Sequence, residues 1–232
     1  GVATARELLA AAERANGGLV LDGAQLTCAA LQARIQATFL AHGVIAEEMI
    51  VSHGPQTAIG HDMGSGPIGA DDVVLLDLFP VDLESACYAD ITRTVAVGEV
   101  GDEVREWHAL CLEAIELSAS EVRPGADGGE IHRLVSRFFA DRGFPTQLTK
   151  AEGEVLRDGF YHGLGHGVGL EVHERPSLGM LGDELVAGDV ITIEPGLYRH
   201  GVGGVRVEDL LLVTEDGYER LTDCPYDLEV SA

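Results

Sequence analysis

Basic residues are scarce in this chain. Lysine and arginine together number 15 against 39 aspartates and glutamates, so the 232 residues carry a formal charge of −24. A nucleic acid or an anionic membrane surface requires a positive footprint, and both are excluded as partners on that ground. No apolar run approaches the ~18 residues of a membrane-spanning helix. The opening stretch GVATARELLAAAERA reads as a charged amphipathic helix, not a signal peptide. The 4 cysteines (Cys28, Cys87, Cys111 and Cys224) form no CxxC pair, which argues against a zinc–thiolate site. Scattered in this way, they read as buried free thiols of a reducing, cytoplasmic compartment. A linker rich in proline, serine and glycine is also missing, as is any residue-level repeat, so residues 1–232 are read as one domain. The first residue is glycine, which suggests a processed product or the later part of something longer.

What is present is an ordinary hydrophobic fraction of 46%, enough for a sizeable core, arranged in two similar runs. Helical spacing predicts helices over 3–15 and 22–41, the second stopped by Gly43. A strand over 45–52 follows, then a loop carrying His61, and paired strands over 72–78 and 88–97. Helices recur over 103–120 and from Asp127 or Gly128 to Asp141, and strands over 189–194, 205–214 and 218–221. Helices then strands, twice, predict an α+β fold with a curved mixed sheet inside, helices outside and a weak two-fold organisation.

The most unusual stretch is YHGLGHGVGLEVHE, Tyr161 to Glu174, with three histidines, His162, His166 and His173, among glycines. Imidazole is a common metal ligand and acid/base, and glycine lets backbone approach a ligand or another strand closely. Four acids stand on predicted strands, where carboxylates are disfavoured and, if buried, costly without a partner. They are Asp77 in VVLLDL, Asp90 in YADITRTV, Glu194 in DVITIE and Glu208 in VRVEDLLLV. Alternation puts Asp90 with Thr92, Glu194 with Thr192 and Glu208 with Arg206, all toward one side of a continuous sheet. Asp209 points the other way and reads as structural. Four carboxylates and an imidazole are a hard donor set suited to Mn²⁺, Fe²⁺, Co²⁺ or Zn²⁺. Two divalent ions would match the four negative charges and activate a bridging water for attack on a carbonyl.

At these residues the sequence resembles the pita-bread metallopeptidases, the family of methionine aminopeptidase, aminopeptidase P and prolidase. The matching pieces are GHDMGSGP (60–67), VVLLDL (73–78), ADITRTV (89–95), HGLGHGVGLEVHE (162–174), ITIEPGLY (191–198) and GVRVEDLLLVT (204–214), in the family's order. The resemblance implies two metal ions, manganese first among the candidates, held by Asp77, Asp90, His166, Glu194 and Glu208. Asp90 and Glu208 would bridge them, and Glu194 would also shuttle the water's proton. His61 and His173 would contact the substrate carbonyl, the scissile nitrogen or the intermediate. His162 and Arg206 fit the aminopeptidase P and prolidase branch, which implies hydrolysis of an N-terminal Xaa-Pro bond in a small peptide and leaves room for a homodimer. The rival readings are a methionine aminopeptidase, a hydrolase of some other amide, and a silent peptide-binding module. Members of the proline branch normally carry a separate N-terminal domain, so this chain is expected to be the catalytic domain alone.

One segment departs from the family pattern. Asp77 and Asp90 are thirteen residues apart, a longer separation than usual, and Phe79 stands where a glycine is customary. Asp82 competes with Asp77 as first ligand, but lies in a turn, and Asp77 is preferred. The longer hairpin is expected to sit by the site. His53, His108, His132 and His200 read as ordinary surface or half-buried histidines, His42 as a helix-end residue, and Tyr161 and Tyr198 as packing residues beside the site. The glycines around His166 are expected to let the substrate backbone approach.

Overall fold

Short polar signals decide where each element begins. Asn16-Gly17 and Asp22-Gly23 both take left-handed backbone angles, the combination that closes two-residue hairpins. They turn the expected continuation of the first helix into three short antiparallel strands. The computed structural model describes residues 1–230, and its first half therefore runs α1 (Val2–Ala11), β1 (Glu13–Ala15), β2 (Gly18–Leu21), β3 (Ala24–Gln25) and α2 (Cys28–Ala41). Thr27 starts α2 by accepting from the Ala30 amide at 3.1 Å. His42 is the C-cap residue of α2, and Gly43 follows with φ +76°. The strand expected over 45–52 divides into β4 (Val44–Ile45) and β5 (Ile50–His53), and the His61 loop begins with a 3₁₀ turn, Gly54–Ala58.

β6 (Asp72–Leu78), β7 (Val81–Asp82) and β8 (Ile91–Val97) complete this half. β6 lies between β5 and β8, antiparallel to both, and its register sets Asp77 opposite Ile50 on one side and Thr92 on the other. As a central strand buried on both faces it reads as a nearly continuous apolar run. α1 and α2 pack their apolar faces on this sheet, and Leu9, Leu31, Ile35, Leu76 and Val95 form one core.

The second half repeats the plan. α3 (Asp102–Ala119) begins with two acids in its first turn, and α4 (Gly128–Ala140) is capped by Asp127, whose carboxylate accepts from the Glu130 amide at 3.0 Å. The strands are β9 (Gly165–Gly167), β10 (Glu174–Leu178), β11 (Val190–Ile193), β12 (Gly196–Arg199), β13 (Gly203–Arg206), β14 (Asp209–Val213) and β15 (Tyr218–Arg220). Five of them form a sheet in the order β10-β9-β11-β14-β15, while β12 and β13 pair separately. Trp107, Phe139, Phe160, Ile191 and Leu211 belong to a second core. Among the described residues, strand pairing is antiparallel apart from isolated parallel bridges at Ala96–Glu229 and Thr146–Phe160.

The expected single strand over 205–214 is interrupted, and the interruption has a clear cause. β11 pairs with β14 up to Ile193–Asp209, and pairing resumes between β12 and β13 at Gly196–Arg206. Between them Glu194-Pro195 faces Val207-Glu208, and proline cannot donate to a ladder. Val207 N–H still donates to Pro195 O at 3.3 Å, while the amides of the two glutamates point outward: Glu194 N–H donates to Leu164 O at 2.8 Å, and Glu208 N–H to Thr92 O at 3.0 Å. The Glu208 bond stitches the two halves together.

Candidate active site and metal centre

The seam between the halves opens into a cavity of about 610 Å³. Its lining includes Asp77, Asp90, His166, Glu194 and Glu208 together with His61, His162, His173 and Arg206. Every residue proposed for the site from sequence is thus brought to one place from six segments of chain. Asp77 comes from the end of β6, Asp90 from the residue before β8, His166 from the middle of β9, and Glu194 and Glu208 from the paired interruptions. The expected strand over 88–97 begins only at Ile91, so Asp90, like the two glutamates, is held just outside a ladder.

Asp90, His166 and Glu208 each offer a ligand atom, and these atoms lie within 4.8 Å of one another. Asp90 Oδ1 is buried with no hydrogen-bond partner, a condition that a buried carboxylate does not tolerate without a proton or a cation. His166 Nδ1 lies 3.0 Å from Gly167 O and must donate to it, which leaves the Nε2 lone pair facing Asp90 Oδ2 at 3.8 Å and Glu194 Oε1 at 3.9 Å. A carbonyl behind the ring is the usual way a metal-binding histidine is oriented. Thr92 donates to Glu208 Oε2 at 2.7 Å and fixes that carboxylate.

Electrostatics supports the same reading. Desolvation by burial, reinforced by the neighbouring acids, pushes the Asp90 and Glu208 carboxyls well above their usual range. Burial raises Glu194 to about 8, with Arg206 opposing and Asp77 adding. Burial also lowers His166 to about 4, so its lone pair is available at neutral pH. Acids that resist ionising together and a neutral imidazole beside them fit a site for divalent cations. Asp77, Asp90, His166, Glu194 and Glu208 could hold them.

His162 and Arg206 line the cavity, but several of their polar atoms are engaged within the protein. His162 Nδ1 donates to Gly163 O at 2.7 Å, and its Nε2 therefore accepts from the Tyr198 hydroxyl at 2.8 Å. Burial first, then Arg206, lowers this imidazole to about 3. Arg206 donates to Tyr198 Oη at 3.1 Å, Thr92 Oγ1 at 3.3 Å and Asp77 Oδ2 at 2.5 Å. Tyr198, read from sequence as a packing residue, joins His162 to Arg206 from behind the lining. The only sequence signal for it was its place four residues after Glu194. Tyr161 does line the cavity, as do Met63 of the GHDMGSGP piece and Ile50, Ile59 and Glu48, which no motif singled out.

Asp82 Oδ1 accepts from the Ser85 amide at 2.7 Å, the Ser85 hydroxyl at 2.8 Å and the Glu84 amide at 3.1 Å. It closes a turn and does not line the cavity, whereas Asp77 and Phe79 do.

Three expectations need correction. A Cβ on Gly165 would lie 2.0 Å from Thr192 O, and one on Gly167 would lie 2.2 Å from Arg175 O. These glycines let β9 pass between β10 and β11, and are not openings for substrate. Cys87 is exposed and Cys224 half-buried, so only Cys28 and Cys111 are the buried free thiols expected. His108 and His132 are buried, against expectation, while His53 is half-buried as expected, with Nδ1 2.7 Å from Asp72 Oδ2. His200 is exposed as expected.

Comparison with known proteins gives a consistent picture. The profile of metallopeptidase family M24 matches residues 3–215. The Xaa-Pro dipeptidase of Pyrococcus furiosus is 35% identical over 183 residues, covering 78% of this chain and 49% of that protein. The Xaa-Pro dipeptidase of Pyrococcus horikoshii is 36% identical, covering 78% and 48%. Among solved structures, the prolidase of Pyrococcus furiosus superposes with a TM-score of 0.79 at 31% identity, over 97% of this chain and 60% of that one. The X-Pro aminopeptidase of Thermotoga maritima gives 0.76 at 31% identity, over 88% and 55%. The chain spans about half the length of the curated relatives it matches. The architecture is the pita-bread fold, and no helix among the described residues is long and apolar enough to cross a membrane.

Proposed function

Because the chain belongs to metallopeptidase family M24, we propose that it hydrolyses the bond between an N-terminal residue and proline in small peptides, using two divalent ions. The observation that carries this reading is the convergence of five donors on one cavity, with Asp90, His166 and Glu208 already within 4.8 Å of one another and Asp90 Oδ1 unpartnered. Asp77, Asp90, His166, Glu194 and Glu208 would hold the ions. Manganese is our first candidate, ahead of cobalt, zinc and iron. When bound, such ions acidify water and polarise a carbonyl.

The remaining work falls to the protein's own groups. Glu194 faces the cavity, and its carboxylate, kept ionised where cations are bound beside it, would take a proton from attacking water and return it to the departing nitrogen. His61 and His173 are exposed on the lining, where their ring nitrogens can donate to the substrate carbonyl as it becomes an oxyanion. The His162–Tyr198–Arg206 chain holds the guanidinium against Asp77 and keeps that carboxylate aimed. The apolar side chains Ile50, Ile59, Met63 and Phe79 give a substrate side chain and the proline ring a surface to bury against. The scattered thiols fit a cytoplasmic enzyme, and the relatives named as dipeptidases fit a peptide as the partner.

The test is hydrolysis of Ala-Pro, Ala-Pro-Ala, Met-Ala-Ser and an unrelated amide by manganese-loaded protein. Cleavage confined to the Xaa-Pro substrates, and abolished by Glu208→Ala, is expected. Cleavage of Met-Ala-Ser alone would replace the reading with a methionine aminopeptidase. A protein that binds metal at neither site and turns over nothing would be a silent peptide-binding module.

A further inference from the structure

The geometry assigns to Arg93 a positioning role: its buried guanidinium sets the backbone of the Glu208 interruption and thereby the aim of the Glu208 carboxylate. Arg93 lies on β8 on the face away from the cavity and is only 2% exposed. Its polar contacts number five, and all run to one neighbourhood. Nη1 donates to Thr92 O at 3.0 Å and to Glu208 O at 2.6 Å. Nη2 donates to Asp209 Oδ1 at 2.9 Å and to Cys224 O at 3.0 Å, and Nε to Pro225 O at 3.1 Å. The Tyr226 ring covers the guanidinium at 4.5 Å.

Two of those acceptors matter for the site. Glu208 donates its amide to Thr92 O, and its carboxylate accepts from Thr92 Oγ1. Arg93 Nη1 therefore grips Thr92 O and Glu208 O just past the end of the β11–β14 ladder, where Val207 N–H donates to Pro195 O at 3.3 Å and Glu208 N–H to Thr92 O at 3.0 Å. The planar five-donor fork adds a hold on the Glu208 carbonyl to the one on its amide. A lysine retains the charge and can still meet Asp209, but its three donors on a flexible stem cannot reproduce this pattern. The charge itself is secured from the other side as well: Arg220 Nε stands 3.3 Å from Asp209 Oδ2, and the hydrogen bonds of Arg220 run to Tyr226 and Glu116, not to Glu208. This pairing of two arginines on one aspartate offers a structural control.

The proposal rests on the metal-binding reading above, and its test separates the two. Metal-depleted wild type, Arg93→Lys and Arg220→Lys are titrated with Mn²⁺ by calorimetry, with circular dichroism and thermal melting recorded alongside. Arg93→Lys should keep the wild-type spectrum but bind Mn²⁺ about 10–100-fold more weakly, the usual cost of losing an outer contact to a ligand. Its kcat should recover in excess Mn²⁺, because the carboxylate is misaimed and not lost. Arg220→Lys should lower the melting temperature while changing the affinity less than about twofold. If Arg93→Lys does not fold, Asp209→Asn takes its place: it removes the ionised anchor of the guanidinium and should weaken Mn²⁺ binding about 3–10-fold. Equal affinities in wild type and these variants, or an equal loss in Arg220→Lys, would overturn the positioning role. A wild-type chain that binds no Mn²⁺ would overturn the metal reading and this proposal with it.

Discussion

The buried acids make a quantitative demand on the metal-free protein. Glu194 has its carboxyl raised by burial from 4.5 to about 8, with Arg206 opposing and Asp77 adding to the rise. A raised carboxyl means that the folded state holds its proton more tightly than the unfolded chain does. Its contribution to stability is complete below the unfolded value and is lost as pH rises through the folded one. The window therefore runs from about 4.5 to about 8. At 1.36 kcal/mol per pH unit, that interval amounts to roughly 5 kcal/mol for Glu194 alone. This is a ceiling, because the acids share their mutual repulsion and relaxation or water entry will soften it. Asp90 and Glu208 shift in the same direction, for desolvation first and neighbouring acids second. Set against a typical domain stability of about 5–15 kcal/mol, the effect is large.

The assay is urea unfolding between pH 5.5 and pH 8 at fixed ionic strength, with chelator or with saturating Mn²⁺. The metal-free protein should lose several kcal/mol toward pH 8, and Mn²⁺ should abolish most of the slope because the ion takes the place of the protons. The chain's overall charge of −24 also disfavours compactness as acids ionise, so Glu194→Gln is the necessary control. It leaves that background nearly intact and should flatten the slope. Calorimetry at pH 6 in two buffers of different ionisation enthalpy should show net proton release as Mn²⁺ binds. A metal-free protein as stable at pH 8 as at pH 5.5, or a Glu194→Gln variant with an unchanged slope, would refute the reasoning.

Two further outcomes follow from the geometry. Asp77→Asn should weaken Mn²⁺ binding more than about tenfold, while Asp82→Asn should leave it unchanged and cost about 0.5–1.5 kcal/mol through its turn bonds; calorimetric titration and urea melts of the two variants decide which aspartate serves the site. Gly167→Ala puts a Cβ 2.2 Å from the Arg175 carbonyl, a backbone atom held in the β9–β10 pairing. It should destabilise by about 1–3 kcal/mol or more, whereas Gly163→Ala, with its nearest neighbour 3.7 Å away, should melt near the wild-type temperature.

Much of the site was legible because chemistry leaves a mark on strands. Asp77 and Glu194 stand at the ends of apolar runs, and Glu208 splits one, so each violates the strand pattern visibly. What alternation could not show was the interruption at 194–195 and 207–208. Periodicity assumes a continuous ladder, and only the pairing of β12 with β13 reveals that the ladder stops. The early hairpins were missed for another reason. Asn16-Gly17 and Asp22-Gly23 are strong turn signals, but the alanine-rich stretch before them favours helix and carried the reading past Ala11. Tyr198, at the end of the ITIEPGLY piece, was read as packing because its two partners, His162 and Arg206, are brought to it only by folding. Asp209 was rightly separated from Glu208 by facing, and its partner Arg93 stands on the matching face of β8.

The placement of the acids and the stability of the fold are linked by one device. A carboxylate within a ladder has its backbone fixed by two neighbours, and its side chain must follow the pleat to one face or the other. Glu194, Glu208 and Asp90 all sit where pairing stops, and each backbone is held by a bond outside its own ladder or by the strand that begins beside it. Glu194 N–H reaches Leu164 O, only two residues before His166. Glu208 N–H reaches Thr92 O, two residues after Asp90. The bonds that replace the missing ladder therefore run from one candidate ligand's segment to another's. Moving any one of these segments would disturb a second ligand as well as its own, so the metal site and the seam between the halves should form and melt together.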